Sequence, residues 1–541
     1  MYLVYRWLIA TDYSSLTILS RGALIYVHFF SKCTVSSSLL TIAFLLISSA
    51  MLFLLGLATS LLYALYRYYS MVARYPRGPF PWPLVGNMFQ QDFARQHLTS
   101  IKFAPSFDGV FTLYAPVPIV FLTDYEAIRE AFVERGDDFA GRPENIVMQE
   151  IFMYAPNSGV INSNGENWRE QRRVALSILR DFGMGKNLME EQVLSSVREY
   201  LEALDNIKNK DKVDLHWPIQ LMVGNIINET LFGYRYKYDD CEKLINYVED
   251  FQKWIGDLAK SPEIAVGFAA PALLKIPFVG YHCLYKHRDN MRKICQYIVD
   301  NVQRCMEGYK PDDEPSCFVH AYTQRMPNNA FLDDVNLIST CNDFFMAGQE
   351  TTTTTLRWAV LYLALNQDAQ EKLRREIHAV VGRDRLTRMA DKNKMIYAQA
   401  TVLEVQRMAN IVGGNLTHRT TRDTVVKGHH IPKDTFINGD IHYVMARDPH
   451  FVDPERFNPD RFLNEDGTAL RKDLVDRVVA FSLGKRACAG EGLARVELFL
   501  GLTATVQNYR ILPRDGEPID LEPLPMNILQ PRDQYIKLEK V

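Results

Sequence analysis

Neither sign of charge prevails in this 541-residue chain: 61 lysines and arginines face 64 aspartates and glutamates, a formal net charge of -3. There is no basic field of the kind nucleic-acid binders carry, which sets that class aside. The eight cysteines, at 33, 241, 283, 295, 305, 317, 341 and 488, lack the dense, regular spacing of a small disulfide-stapled secreted fold. A reducing, cytosol-facing environment fits them better. Cys488 lies far beyond Cys341, its nearest cysteine neighbour, which argues against a paired-cysteine zinc site around it. Any metal there must be held through one sulfur. Internal repeats and low-complexity tracts are also missing, and 47% hydrophobic against 23% charged residues leaves ample material for a buried core. The two sequons, at Asn228 and Asn415, carry no weight on a cytosolic domain.

What the chain does have is one long apolar run. No charged residue occurs between Lys32 and Arg67, and residues 39–66 are dominated by Leu, Ile, Ala, Phe and Met. About 20 residues suffice to span hydrocarbon, so the run predicts a transmembrane anchor at 38–66 behind an N-terminal extension of 1–37. A buried core helix of that length would normally keep a polar edge. Arg67, Arg74 and Arg77 follow with no acid among them, whereas Asp12 accompanies Arg6, Arg21 and Lys32; this small bias favours a cytosolic C-terminal side. Four prolines between Tyr75 and Asn87 forbid helix and suggest a stiff hinge over 67–89.

The remainder, 90–541, reads as one catalytic domain, mainly α with small β-sheets. Amphipathic runs predict helices over 167–187, 189–204, 333–366, 368–381 and 394–410, and short β-branched runs predict strands over 110–113, 117–122, 424–427 and 435–438. The stretch 264–278 is too short to span a bilayer but apolar enough to lie against one; core packing is the equal alternative.

The most specific chemistry lies in Phe481-Ser-Leu-Gly484-Lys-Arg486-Ala-Cys488-Ala-Gly490, followed at once by a helical pattern. A cysteine at the start of a helix meets the positive end of the peptide dipoles and free N–H groups, both of which favour thiolate. Gly484 and Gly490 allow backbone to approach a flat ligand, Phe481 covers the sulfur, and Arg486 suits a carboxylate on the ligand's rim. Farther upstream, Gly348, Thr351, Thr352 and Thr355 share one helix face; such a stripe is by itself more often a packing face, its hydroxyls bonded back along the helix. Glu404 and Arg407 form an i, i+3 pair, and Trp168 and Arg172 stand one turn apart.

Across these motifs the sequence resembles the cytochrome P-450 family of haem-thiolate monooxygenases. Glu491-Gly-Leu-Ala-Arg-Val-Glu-Leu498, Leu231-Phe-Gly233 and Phe139-Ala-Gly-Arg142 look closest to its microsomal, drug-metabolising branch. The resemblance implies the family fold, with a b-type haem between a long distal helix and the cysteine-loop helix, and Cys488 as the ligand to iron. Phe481, Gly484 and Arg486 would then surround the ligand, Ala347 and Gly348 make room for dioxygen, and Thr351 and Glu350 deliver protons. It implies haem propionates held by Trp168, Arg172 and His418, and a buried structural network of Glu404, Arg407 and, from Asp453-Pro-Glu-Arg456, Arg456. Pocket-lining residues carried over are Phe344, Phe345, Val412, Leu416, Met526 and Ile528, suited to a lipophilic substrate of the xenobiotic, fatty acid or steroid class.

The chain has no glycine loop for flavin or nicotinamide, so electrons from NADPH would come through the microsomal reductase, with cytochrome b5 as a further partner. Arg169, Arg173 and Lys485 are candidate contacts for that acidic flavoprotein, and the implied location is the endoplasmic reticulum membrane, facing the cytosol. Family members that rearrange peroxides tend to lose the distal acid and threonine, and this chain keeps both. Two departures stand out: no Arg or Lys lies between Arg142 and Arg169, which suggests thinner propionate pairing, and residues 1–32 exceed what most relatives carry.

Overall fold

The computed structural model describes residues 37–541, apart from 93–94, 116, 183–186, 260, 262–270, 311 and 525–527. The chain divides after Val72 into two units. In the first, helix α1 (Ser37–Val72) continues through Arg67, beyond the boundary read from charge. Its span Thr41–Val72 is long and apolar enough to cross a membrane, and Leu52 and Phe53 are among its many exposed large apolar side chains.

In the second unit, the Pro-rich stretch is docked rather than free. The Asn87 amide donates to the carbonyls of Pro79 and Phe80, while its Oδ1 accepts from Tyr114 N at 2.9 Å, fastening the segment to the first strand.

The long helices that follow are α2 (Gly165–Asp181), α3 (Asn187–Asn206), α4 (His216–Phe232), α5 (Glu242–Ala259), α6 (Lys286–Met306), α7 (Asp334–Leu365), α8 (Gln367–Val380), α9 (Ile396–Ala409) and α10 (Glu491–Asn508). The predicted helices coincide with α2, α3, α7, α8 and α9 to within a few residues, apart from the C-terminal end of α2, predicted through 187 and found to stop at Asp181. Asp333 sets the start of α7, since its carboxylate accepts from Asn336 N at 2.7 Å and satisfies an otherwise unpaired amide. By contrast α4 is buried nearly all round, from Ile219 to Asn228 without a break. A helix covered on every side has no polar stripe, which is why periodicity did not reveal it. α7 packs against α4, α9 and α10 and forms the centre of the body.

Strands β1 (Val110–Tyr114), β2 (Pro118–Leu122), β3 (His418–Arg419) and β6 (Phe436–Gly439) form one sheet in the order β1-β2-β6-β3, with β2 and β6 parallel. β4 (Thr424–Val426) and β5 (His429–Ile431) form a hairpin whose turn residues Lys427 and Gly428 both have positive φ, the geometry that matches strand twist. β7 (Tyr509–Pro513) pairs with β8 (Ile536–Lys540). The body is therefore mainly α with small sheets, as its sequence pattern implied. Of the apolar stretch 264–278, residues 264–270 lie outside the described residues; beyond them Leu274 is buried while Leu273, Ile276 and Phe278 are exposed.

Candidate active site

A cavity of about 290 Å³ lies between α7 and the loop that precedes α10. The loop is built around glycine. Gly484 has φ +77°, and a Cβ there would lie 1.8 Å from the Phe132 carbonyl oxygen, so no other residue fits. Cys488 N donates to Phe481 O at 2.9 Å, which closes the loop and turns the sulfur into the cavity just ahead of α10. Phe481, Arg486, Ala487 and Gly490 share that wall; at Gly490 a Cβ would meet nothing within 4 Å, so the space beside the sulfur is open.

Cys488 keeps accessible surface although protein surrounds it, because that surface faces the cavity. Burial raises its thiol pKa, and the Gly490 N–H, Arg172 and the Glu491 N–H oppose this only in part. The helix N-terminus thus contributes what the sequence suggested, but a metal cation must supply the rest of the drive to thiolate.

Three guanidiniums surround the cavity. Arg142 donates to Ile161 O at 3.0 Å and to Leu416 O at 2.7 Å; Arg172 donates to Ala487 O at 2.6 Å; Arg486 donates to Ser163 O at 2.7 Å and lies 3.7 Å from the Trp168 ring centroid. Among the described residues, none of the three has an ion pair with a carboxylate. Burial, then mutual repulsion, depresses Arg142 to about 9 and Arg486 to about 7, and burial lowers Arg172 as well. The buried Trp168 Nε1 has no hydrogen-bond partner. Unpaired cations, an orphan N–H donor, one sulfur and an open space at glycine fit a flat, dianionic iron porphyrin.

Arg142 was missed in the sequence because it stands before the loop that lacks basic residues; its cavity position depends on carbonyls more than 270 residues downstream. His418 behaves differently from the expectation. Its ring stacks on Phe132, Nδ1 donates to Phe139 O at 2.7 Å, and burial pushes its pKa well below the usual value. While the ring is neutral with its hydrogen on Nδ1, Nε2 is an acceptor; it would donate to a carboxylate only from the protonated ring, which a neighbouring carboxylate favours. Arg142 lines the cavity, and His418 is not among its lining residues. Arg142→Leu is expected to speed haem release by roughly tenfold or more, the equivalent of one charged hydrogen bond of about 1.5–3 kcal/mol, with Arg142→Lys partly restoring retention; haem transfer to apomyoglobin measures it.

The opposite wall is α7, with Phe344, Ala347, Gly348, Thr351, Thr352 and Thr355 on the cavity. Thr351 Oγ1 donates to Ala347 O at 2.9 Å, the back-bonded arrangement of an ordinary helical threonine. At Gly348 a Cβ would lie 3.1 Å from Ile227 Cδ1, so this glycine admits α4 as well as a ligand. Glu350 does not line the cavity: its carboxylate turns the other way, accepting from Gln252 Nε2 at 3.2 Å and from Gln530. Adjacent helical residues point about 100° apart, which separates it from Thr351.

Two acids that the sequence reading did not select do reach this wall. Asp343 accepts from Val160 N and Ile161 N at 2.7 and 2.9 Å, with burial raising it to about 7, and Glu497, bonded to Thr352, is raised by burial to about 8. Val412 and Leu416 line the cavity too. Phe345 instead packs in the core against Tyr247 and Tyr297, Ile528 bridges Val412 from behind, and Met526 lies outside the described residues.

Glu404 and Arg407 form a fully buried fork, with Nε–Oε2 at 2.8 Å and Nη2–Oε1 at 3.0 Å. The third member is Arg461, whose Nε lies 3.0 Å from Glu404 Oε1, and not Arg456, which is exposed. The single helical turn Pro459–Phe462 carries Arg461 inward, and its guanidinium also holds the Arg456 carbonyl at 2.8 Å. The candidate reductase contacts are all paired already: Arg169 with Glu166, Arg173 with Glu170, and Lys485 with Asp137.

A mainly α body, a lone cysteine facing a cavity beneath a long central helix, and cations suited to propionates together define a haem-thiolate protein. The cytochrome P-450 family model matches residues 76–538. Cytochrome P-450 2H1 of Gallus gallus is 34% identical over 478 residues, covering 87% of this chain and 94% of that protein. For cytochrome P-450 2J2 of Homo sapiens the identity is 33% over 479 residues (87% and 92%), and for cytochrome P-450 2E1 of Mus musculus 35% over 481 residues (87% and 94%). The chain belongs to the cytochrome P-450 family. It is a monooxygenase that uses haem iron, dioxygen and electrons from NADPH.

Proposed function

We propose that this protein hydroxylates a lipophilic small molecule of the xenobiotic, fatty acid or steroid class, from a membrane anchor in the endoplasmic reticulum with its catalytic body in the cytosol. The observation that carries the reading is the lining of the cavity: beside Cys488 and its three cations, Phe344, Ile227, Leu231, Val412 and Leu416 provide a largely apolar wall. Such a wall favours apolar substrates by burial and leaves few polar anchors to select among them.

When bound, thiolate-ligated haem supplies the cleavage of dioxygen, one atom of which enters the substrate while the other leaves as water. Cys488 supplies the electron-rich sulfur. Arg142, Arg172, Arg486 and Trp168 Nε1 orient the propionates and exclude water from that edge. Thr351 Oγ1 is one proton-holding group at the cavity; to serve, its hydroxyl must rotate off Ala347 O. Glu350 would have to break both its amide contacts to join it.

Thr351→Ala is expected to lower the ratio of product to NADPH consumed severalfold, with peroxide released instead; an unchanged ratio removes Thr351 from proton delivery. The function itself is tested by reconstitution with purified microsomal NADPH reductase, with and without cytochrome b5, and a library of lipophilic compounds. Substrate-induced shifts of the haem absorption band and dioxygen-dependent product formation are expected. Turnover that persists without dioxygen, or a library that moves no band, would overturn it.

A further inference from the structure

We propose that Cys305, Cys317 and His320 form a binding site for a zinc ion, separate from the haem site. None of the three lines the cavity around Cys488. Cys305 lies in the last turn of α6, Cys317 is the N-cap of the short helix Phe318–Arg325, and His320 falls in that helix's first turn, on the same face as Cys317. The loop between the two helices folds back so that Cys305 Sγ lies 3.2 Å from Cys317 Sγ and 3.3 Å from His320 Nε2, and all three ligand atoms fall within 4.8 Å of one another.

Two thiolates and an imidazole are the donors of a borderline-soft divalent ion; calcium and magnesium require oxygen. Two sulfurs sharing a tetrahedral zinc, each at about 2.3 Å, stand roughly 3.7 Å apart, so the pair needs to open by about half an ångström to seat the ion. Cys317 is well prepared, since a helix N-terminus stabilises a thiolate. Cys305 and His320 are half-buried and give the ion access and a water for its fourth position, whereas Cys317 is buried.

The imidazole is also held from behind. Its ring stacks on Tyr309 with centroids 3.7 Å apart and planes 5° apart, and Nδ1 lies 3.2 Å from Ser316 Oγ. Such outer contacts fix the orientation of a metal-bound histidine. Nε2 donates to Cys305 O at 2.9 Å. Binding shifts the ring hydrogen to Nδ1, where Ser316 Oγ accepts it, and releases the two thiol protons to solvent. No electron is transferred. The site would pin α6 to the short helix, whose Phe318 ring packs edge-on against Phe344 of the cavity wall at 5.6 Å.

The test uses the full-length, haem-loaded protein in detergent, kept reduced with a phosphine, loaded with zinc and passed through a desalting column. Elemental analysis is expected to find one zinc per chain besides the haem iron. Cys317→Ala and His320→Ala should weaken zinc by at least ~100-fold, more than loss of an outer contact, while the haem carbonyl band stays unchanged and Cys241→Ala keeps full binding. Independently of any variant, zinc should slow alkylation of Cys305 and Cys317 in the wild-type protein. The proposal is overturned if wild-type protein retains no more zinc than Cys317→Ala, if zinc leaves alkylation unchanged, or if protein isolated with its thiols blocked carries a Cys305–Cys317 disulfide in place of the metal.

Discussion

Replacing Cys488 by alanine is expected to abolish the strongly red-shifted carbonyl band of the reduced protein and all monooxygenase activity. Of the cysteines described, this is the one that faces the cavity; Cys341, the nearest in sequence before it, is buried and its thiol is pushed up by burial. Among the described residues no second cysteine lines the cavity. The loop geometry depends on Gly484 and on the Cys488 N–H, and alanine at 488 preserves both. The variant should therefore fold and bind haem weakly, which separates loss of the ligand from loss of structure. A variant that kept the red-shifted band would refute the ligand assignment and the reaction derived from it.

The second large effect concerns the buried fork. Glu404 is fully buried and receives Arg407, Arg461 and the Asn458 amide. Glu404→Ala leaves two guanidiniums without a counter-charge in a dry interior, a loss of about 3–5 kcal/mol. That is a large part of the whole stability of a typical domain, about 5–15 kcal/mol. The expected outcome is protein that fails to retain haem or unfolds well below the wild-type temperature. Arg461→Ala should cost less but be clearly measurable, while Arg456→Ala, at an exposed side chain, should stay within about 0.5 kcal/mol. Thermal unfolding of the three variants side by side measures this; equal losses at 456 and 461 would show that the arrangement around Glu404 is wrong.

The sequence motif around Arg456 led to the wrong arginine for a physical reason. Asp453-Pro-Glu-Arg456-Phe-Asn-Pro-Asp-Arg461 offers two arginines within six positions, and which one turns inward depends on where the proline starts its turn and on which face Glu404 presents. Glu350 turns away from Thr351 for a similar reason, since neighbouring positions in a motif share a string but not a direction. For His418, the stacking on Phe132 and the Phe139 carbonyl at Nδ1 come from contacts that its own motif does not carry.

Much was nevertheless decided by consecutive residues alone. A run without charge long enough to cross hydrocarbon, a glycine-bracketed cysteine ahead of a helix, and helical periods that mark α2, α3, α7, α8 and α9 are all local, because backbone geometry and the segregation of apolar side chains act over a few turns. What only the tertiary structure decided joins positions hundreds of residues apart: Arg142 held by the carbonyls of Leu416 and Thr417, Glu350 turned towards Gln530, Asp343 bound to the amides of Val160 and Ile161, and α4 buried on every side. These contacts follow from how helices pack, and packing energy is shared among so many side chains that no short stretch of sequence carries it.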